Sequence, residues 1–163
     1  SGGGHAVEKY IKIDPSGNYI WTLNGSQATD VIEVNNQIII GRYASFISSV
    51  ESYDLQGNLL WSTSFSSAYN DVWLKLHSNG DLIVSYSKSG NSPALLRMDT
   101  NGNIVWDVSF DLPLVHSDTT QNHTVVEDSD GNLIVLQMNK HSKRRGEGGV
   151  YKVDVNDGTK LLP

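Results

Sequence analysis

The chain has 163 residues, no cysteine and a formal net charge of −6, with 38% hydrophobic and 18% charged residues. That is enough apolar material for one folded domain and too much for a disordered chain. Disulfides, thiolate metal sites and cysteine nucleophiles are excluded, the acidic balance points away from nucleic acid as a partner, and no apolar run approaches the ~18 residues of a membrane-spanning helix.

Residues 1–7, opening Ser1-Gly2-Gly3-Gly4-His5, read as a flexible N-terminal segment. From residue 8 onward short runs alternate apolar and polar positions between turn residues, the period-two pattern of strands. In chain order the pattern predicts a pair of strands at 8–14 and 19–24. Three sets of four follow: 29–34, 37–44, 47–54 and 59–65; then 70–77, 81–87, 94–99 and 104–110; then 122–128, 133–139, 149–154 and 159–162. The connections carry Asp or Asn beside Gly, as in Ser16-Gly17-Asn18, Gln56-Gly57-Asn58, Asn79-Gly80-Asp81 and Asp130-Gly131-Asn132. There the side chain bonds the turn and glycine takes the positive φ.

One unit recurs four times: YIKIDPSGNYIW at 10–21, VESYDLQGNLLW at 50–61, LLRMDTNGNIVW at 95–106 and VYKVDVNDGTKLL at 150–162. Its anchors are Asp14, Gly17 and Trp21; Asp54, Gly57 and Trp61; Asp99, Gly102 and Trp106; and Asp154 and Gly158. The last copy has one more residue between Asp and Gly, and Leu162 where Trp would stand. The Asp residues are 40, 45 and 55 positions apart. A second hairpin, VIEVNNQIIIG, VWLKLHSNGDLIV or TVVEDSDGNLIVL, is interleaved between copies. Four-stranded antiparallel sets on such a period predict an all-β fold, a β-propeller of about three and a half to four blades over residues 8–163. The Asp carboxylates are expected to cap turns, and the Trp rings to pack between blades with the indole N–H on a neighbouring blade's backbone. Trp73, in the first strand of a blade, is expected to pack in the core, with stacking on a sugar as the alternative role.

The Asp-x-x-Gly-Asn-x-x-Trp unit resembles the quinoprotein-like (PQQ-like) propeller repeat, and the repeats of bacterial extracellular propellers. That resemblance implies blades docked through their Trp, and it implies a quinone only where an axial pocket supplies a metal and a stacking Trp. No such ligand set is legible here, so no cofactor is expected. The stretch 122–136 is similar to a unit of bacterial arylsulfotransferase propellers, which would make His123 a sulfuryl-accepting nucleophile. Those enzymes draw further His and Arg residues from other blades, and His5, His77, His116 and His141 do not stand at matching positions.

Asp128-Ser129-Asp130-Gly131-Asn132 starts like a calcium loop but has Val126 and Gln137 where ligands would be needed, so it reads as a hairpin turn without a metal. The one basic cluster, Lys140, Lys143, Arg144 and Arg145, lies in an inserted loop of the last blade and is a candidate binding loop for an acidic group.

Together these features predict a non-catalytic propeller module, with no catalytic, cofactor or metal residues. Its expected role is structural, adhesive, or protein- or glycan-binding, in an exported, cell-surface or periplasmic bacterial protein. Its partners would be a protein, a glycan or other copies of itself, with no nucleic acid and no membrane span. The alternative is a fragment of a quinoprotein or arylsulfotransferase enzyme. About three and a half blades imply a piece of a larger propeller or association of copies to cover open edges, or a compact four-bladed ring if the first pair and an atypical partner complete a blade.

Overall fold

A computed structural model describes residues 9–24, 27–44, 47–66, 72–88, 92–110, 120–140 and 148–162. These residues form fourteen strands and no helix, in four antiparallel sheets. The first sheet has two strands, β1 (Lys9–Ile13) and β2 (Tyr19–Asn24). The second holds β3 (Ala28–Val34), β4 (Gln37–Ala44), β5 (Ile47–Asp54) and β6 (Leu59–Ser66). The third holds β7 (Trp73–Leu76), β8 (Leu82–Lys88), β9 (Ser92–Met98) and β10 (Ile104–Ser109). The fourth holds β11 (Thr120–Glu127), β12 (Leu133–Lys140), β13 (Gly148–Val153) and β14 (Lys160–Leu162). Each four-stranded sheet is a meander in which sequence neighbours pair.

Two turn chemistries produce this order. In the β3–β4 hairpin Asn35 and Asn36 both take positive φ, 50° and 61°, the type I′ geometry whose twist matches that of the strands it joins. At the turns that open on Asp14, Asp54, Asp99 and Asp128 the Asp-x-x-Gly turn recurs. At Asp54 the backbone N–H bonds Asn58 O at 2.9 Å, and the Gly57 N–H returns to Asp54 O at 3.0 Å.

Alternation along the strands divides their side chains between two faces, and the faces stack the sheets in series. Val34, Ile39, Val50 and Phe65 of the second sheet share one apolar cluster with Leu82, Val84, Tyr86, Leu96 and Met98 of the third. Ile83, Leu95 and Trp106, from the opposite face of the third sheet, share another with Leu133, Val135, Tyr151 and Val153 of the fourth. The third sheet is therefore covered on both faces, and β8 is buried along nearly its whole length, which is why its sequence LIVSY loses the clean alternation of an edge strand. Burial at about 25 cal/mol per Å2 of apolar surface is the main term holding the sheets together.

The second and third sheets also meet through the backbone. Thr29 Oγ1 donates to Val72 O at 2.6 Å and accepts the Val72 N–H at 2.9 Å. Asp30 Oδ2 accepts the Leu74 N–H at 2.8 Å. This approach is close enough that a Cβ on Gly41 would stand 2.9 Å from Val72 Cγ1.

Candidate functional site

The repeat residues act between sheets. Trp21 Nε1 donates to Leu55 O at 2.8 Å, Trp61 Nε1 to Thr100 O at 3.0 Å and Trp106 Nε1 to Val155 O at 2.7 Å. In each case the acceptor is the residue just after the Asp of the next copy. The Gly of that same turn is the floor on which the indole lies: a Cβ on Gly57, Gly102 or Gly158 would come within 3.3, 2.7 or 3.2 Å of the preceding Trp ring. The extra residue in the last copy leaves this contact intact, because Gly158 still bonds back to Asp154 O at 2.9 Å.

The Asp side chains hold those turns. Asp14 Oδ1 accepts the N–H groups of Ser16 and Asn18 at 2.9 and 2.8 Å, and Oδ2 accepts the Asn18 amide at 2.9 Å. Asp54 and Asp99 repeat the pattern with Asn58 and Asn103. The Asn18 and Asn58 side-chain bonds hold Asp14 and Asp54 below the usual carboxylate range, with the turn N–H groups adding to the effect. Burial works to raise Asp99, but the bonds from Asn103 outweigh it and that group is lowered too. Asp154 accepts from Asn156, through both its N–H and its side-chain amide. Asp128 accepts the N–H groups of Asp130 and Asn132 at 2.9 and 3.0 Å, and Lys152 Nζ lies 2.8 Å from its Oδ2. The Lys152 bond lowers Asp128. With an ammonium on one oxygen and turn amides on the other, the Asp128 turn is a hairpin cap.

Sequence reading missed two polar clusters. His77 stands in the β7–β8 turn where other turns have Asp. Its Nδ1 accepts the Asn79 N–H at 3.2 Å, as Asp14 Oδ1 accepts that of Ser16. Its Nε2 reaches Gly131 O of the fourth sheet at 2.8 Å, and Ser78 bonds Glu127 through both its hydroxyl and its N–H. The Ser78 bonds hold Glu127 below its ordinary range. The His77-Ser78-Asn79-Gly80 spacing, matching Asp-x-x-Gly, was the available signal. The second cluster is the Arg42–Glu51 ion pair, 2.6 Å apart, which Tyr53 joins through its hydroxyl at 2.5 Å from Glu51. The Arg42 guanidinium lies 5.1 Å from the centre of the Tyr10 ring, so this cluster ties the first sheet to the second.

Two concave surfaces lie outside these contacts. One is a groove of about 570 Å3 beside β1, lined by Tyr10, Lys12, Trp21, Ile32, Ile38 and Ile40 among others. The other is a crevice of about 190 Å3 where β3, β7, β8 and β11 converge, lined by Asp30, Trp73, Lys75, Ile83, Ser85 and Thr124 together with Leu74 and Val125. Trp73 corrects the expectation of a core residue: it is 40% exposed. Val72 and Leu74 beside it point into the apolar cluster, so alternation turns Trp73 to the other face, where it shares the crevice with Thr124 and Val125 of the fourth sheet and stays partly exposed.

Of the remaining candidates, Lys140 lies at the end of β12 and His123 within β11, and their side chains are outside the described residues. Lys143, Arg144 and Arg145, with His5, His116 and His141, also lie outside them. Among the described residues no group of three or more His, Asp or Glu side chains is arranged to hold a metal ion. Nor do the described residues include a helix long and apolar enough to cross a membrane.

No protein-family model matches the chain, and no curated protein does. Among solved structures it is similar to a crystal structure of a protein of unknown function from Bacteroides caccae. The two are 10% identical with a TM-score of 0.59, over 98% of this chain and 70% of that one. At that identity the likeness is one of fold: stacked four-stranded antiparallel sheets.

Proposed function

We propose that the chain is a non-catalytic β-propeller module, its sheets serving as blades, that binds a polysaccharide as part of an exported or cell-surface bacterial protein. The observation that carries this reading is the exposed indole of Trp73 on the wall of a crevice lined by both polar and apolar side chains. An indole face stacks on the C–H face of a sugar ring, while hydroxyls and charged groups at the rim take the sugar's own hydroxyls. Lys75 and Thr124 supply such groups here, beside Asp30, whose carboxylate also accepts the Leu74 N–H. The repeat residues support the scaffold half of the reading, since Trp21, Trp61 and Trp106 are engaged by backbone carbonyls of the next sheet.

The test is calorimetric titration of the chain with a panel of soluble oligosaccharides. At least one is expected to bind, and Trp73→Ala to weaken it by about tenfold or more. Equal affinity for the parent and Trp73→Ala, or no binding across the panel, defeats the reading. A sulfuryl-transfer activity that His123→Ala abolishes would put an enzyme in its place.

A further inference from the structure

The two end sheets of the series present exposed faces: the fourth repeats a face that is covered inside the chain, and the two strands of the first repeat the last two strands of one. At the first sheet, Ile11 and Ile13 are both 60% exposed. Counted from the repeat Asp, their counterparts are Leu96 and Met98 in the third sheet, each 0% exposed, and Tyr151 and Val153 in the fourth, 6% and 0% exposed. All four lie in the apolar clusters shared with the preceding sheet. In the adjoining turn nothing among the described residues lies within 4 Å of where a Cβ on Gly17 would stand, whereas Gly57, Gly102 and Gly158 each carry the preceding Trp.

At the fourth sheet, Val150 is 56% exposed, and its counterparts Val50 and Leu95, under the following sheet, are 0% and 1% exposed. Val126, 47% exposed, and Leu136, 40% exposed, extend this outward surface. Lys152 occupies the place of Arg97, whose Nη1 donates across the sheet contact to Val155 O at 2.7 Å. Backbone pairing sets Leu162 opposite Lys152 as it sets Trp106 opposite Arg97.

We propose that these two faces bind each other between copies of the chain: the outer face of the β11–β14 sheet of one molecule docks on the Ile11, Ile13 and Gly17 face of the next. Both faces are exposed together within one molecule, so they do not satisfy each other internally. They match in kind because the same pair of faces already meets between the second and third sheets and between the third and fourth. Lys152, itself paired with Asp128, is brought near the Pro15 carbonyl, in the place from which Arg97, itself paired with Asp81, reaches the Val155 carbonyl. What the contact lacks is an indole donor, because Leu162 stands where Trp would. It is therefore weaker than the contacts inside the chain, and being heterologous it closes into a ring or extends as a filament. The inference rests on the module reading above and adds its partner.

Sedimentation velocity of the full chain from micromolar to submillimolar concentration tests it. Association is expected. Ile13→Glu and Val150→Glu should each abolish it. A mixture of the two variants should form a discrete one-to-one dimer, because one intact face of each kind remains between them. Leu162→Trp, which supplies the missing donor for Pro15 O, should tighten association by about tenfold. Circular dichroism identifies any variant that fails to fold; Ile11→Lys and Val126→Lys then replace it. A parent that stays monomeric together with a monomeric Leu162→Trp overturns the proposal. So does association that survives both Glu variants, or a mixture that yields no dimer. Oligosaccharide binding retained in the monomeric variants separates failure here from failure of the module reading.

Discussion

Trp106 and Val155 are 49 residues apart in sequence, and the indole N–H of one donates to the carbonyl of the other at 2.7 Å. The same carbonyl accepts from Arg97 Nη1, also at 2.7 Å, whereas the Thr100 carbonyl that accepts from Trp61 is bonded at 3.0 Å with no second donor among the described residues. Phe in place of either Trp keeps most of the apolar contact and removes the N–H. Trp61→Phe should destabilise by about 1 kcal/mol and Trp106→Phe by less, because Arg97 still satisfies Val155. Trp106→Ala, which empties a buried aromatic site, should cost about 3–5 kcal/mol. Urea unfolding of the three variants checks the ranking.

Gly17 and Gly102 have nearly the same φ, +85° and +87°, yet only Gly102 has an indole against it. Gly17→Ala should cost only the positive-φ penalty, roughly 1–2 kcal/mol. At Gly102 the new Cβ would stand 2.7 Å from the Trp61 ring, adding roughly 1–3 kcal/mol of overpacking. The difference between the two melting shifts measures the contact between sheets apart from the turn; equal shifts would show that the indole yields freely.

Asp14, Asp54 and Asp99 are all held below the ordinary carboxylate value of 3.8 by the bonds of their turns. A lowered folded value means the unfolded chain binds protons more readily. The stability these groups contribute is therefore complete above the ordinary value and is lost as pH falls through the folded ones. Unfolding midpoints should hold steady from neutrality to mildly acidic pH and then drop. Asp54→Asn should lower the midpoint at neutral pH and flatten that drop.

The hydroxyl of Tyr86, a fully buried residue, donates to Asp107 Oδ1 at 2.6 Å. Burial first, and then the Asp107 carboxylate, raise its ionisation above the ordinary 10.0. For an acid raised on folding, the contribution is present below the ordinary value and lost as pH climbs through the folded one. Tyr86→Phe should cost about 1–2 kcal/mol at neutral pH. It should also remove the part of any alkaline destabilisation that begins near the ordinary tyrosine value. Chemical denaturation across that range reads both effects.

The strand order was legible because period-two alternation agrees with a turn signal at many hairpins, Asp-x-x-Gly or its one-longer form at Asp14, Asp54, Asp99, Asp128 and Asp154 and Asn35-Asn36 at the β3–β4 hairpin, so two independent physical signals mark the same boundaries. The Trp rings were legible as contacts between sheets for the same reason, since an indole directly after a turn has one flat face and one donor to place. Trp73 was misjudged because alternation says which face a residue takes but not how far the neighbouring sheet extends over that face. His77 was passed over because a histidine in a turn looks unlike an Asp, although its ring nitrogen accepts the same N–H. The Arg42–Glu51–Tyr53 group joins residues 42, 51 and 53 through cross-strand neighbours, and nothing in their spacing distinguishes them from a solvated strand face.

The Trp contacts all run one way, from the last strand of a finished sheet to a turn in the sheet that follows, across 34, 39 and 49 residues. A chain emerging from the ribosome can thus complete each meander locally before the carbonyl that will receive its indole has been made. Folding in that order would leave each of the first three sheets with its indole donor exposed until the next one is synthesised and closes over it.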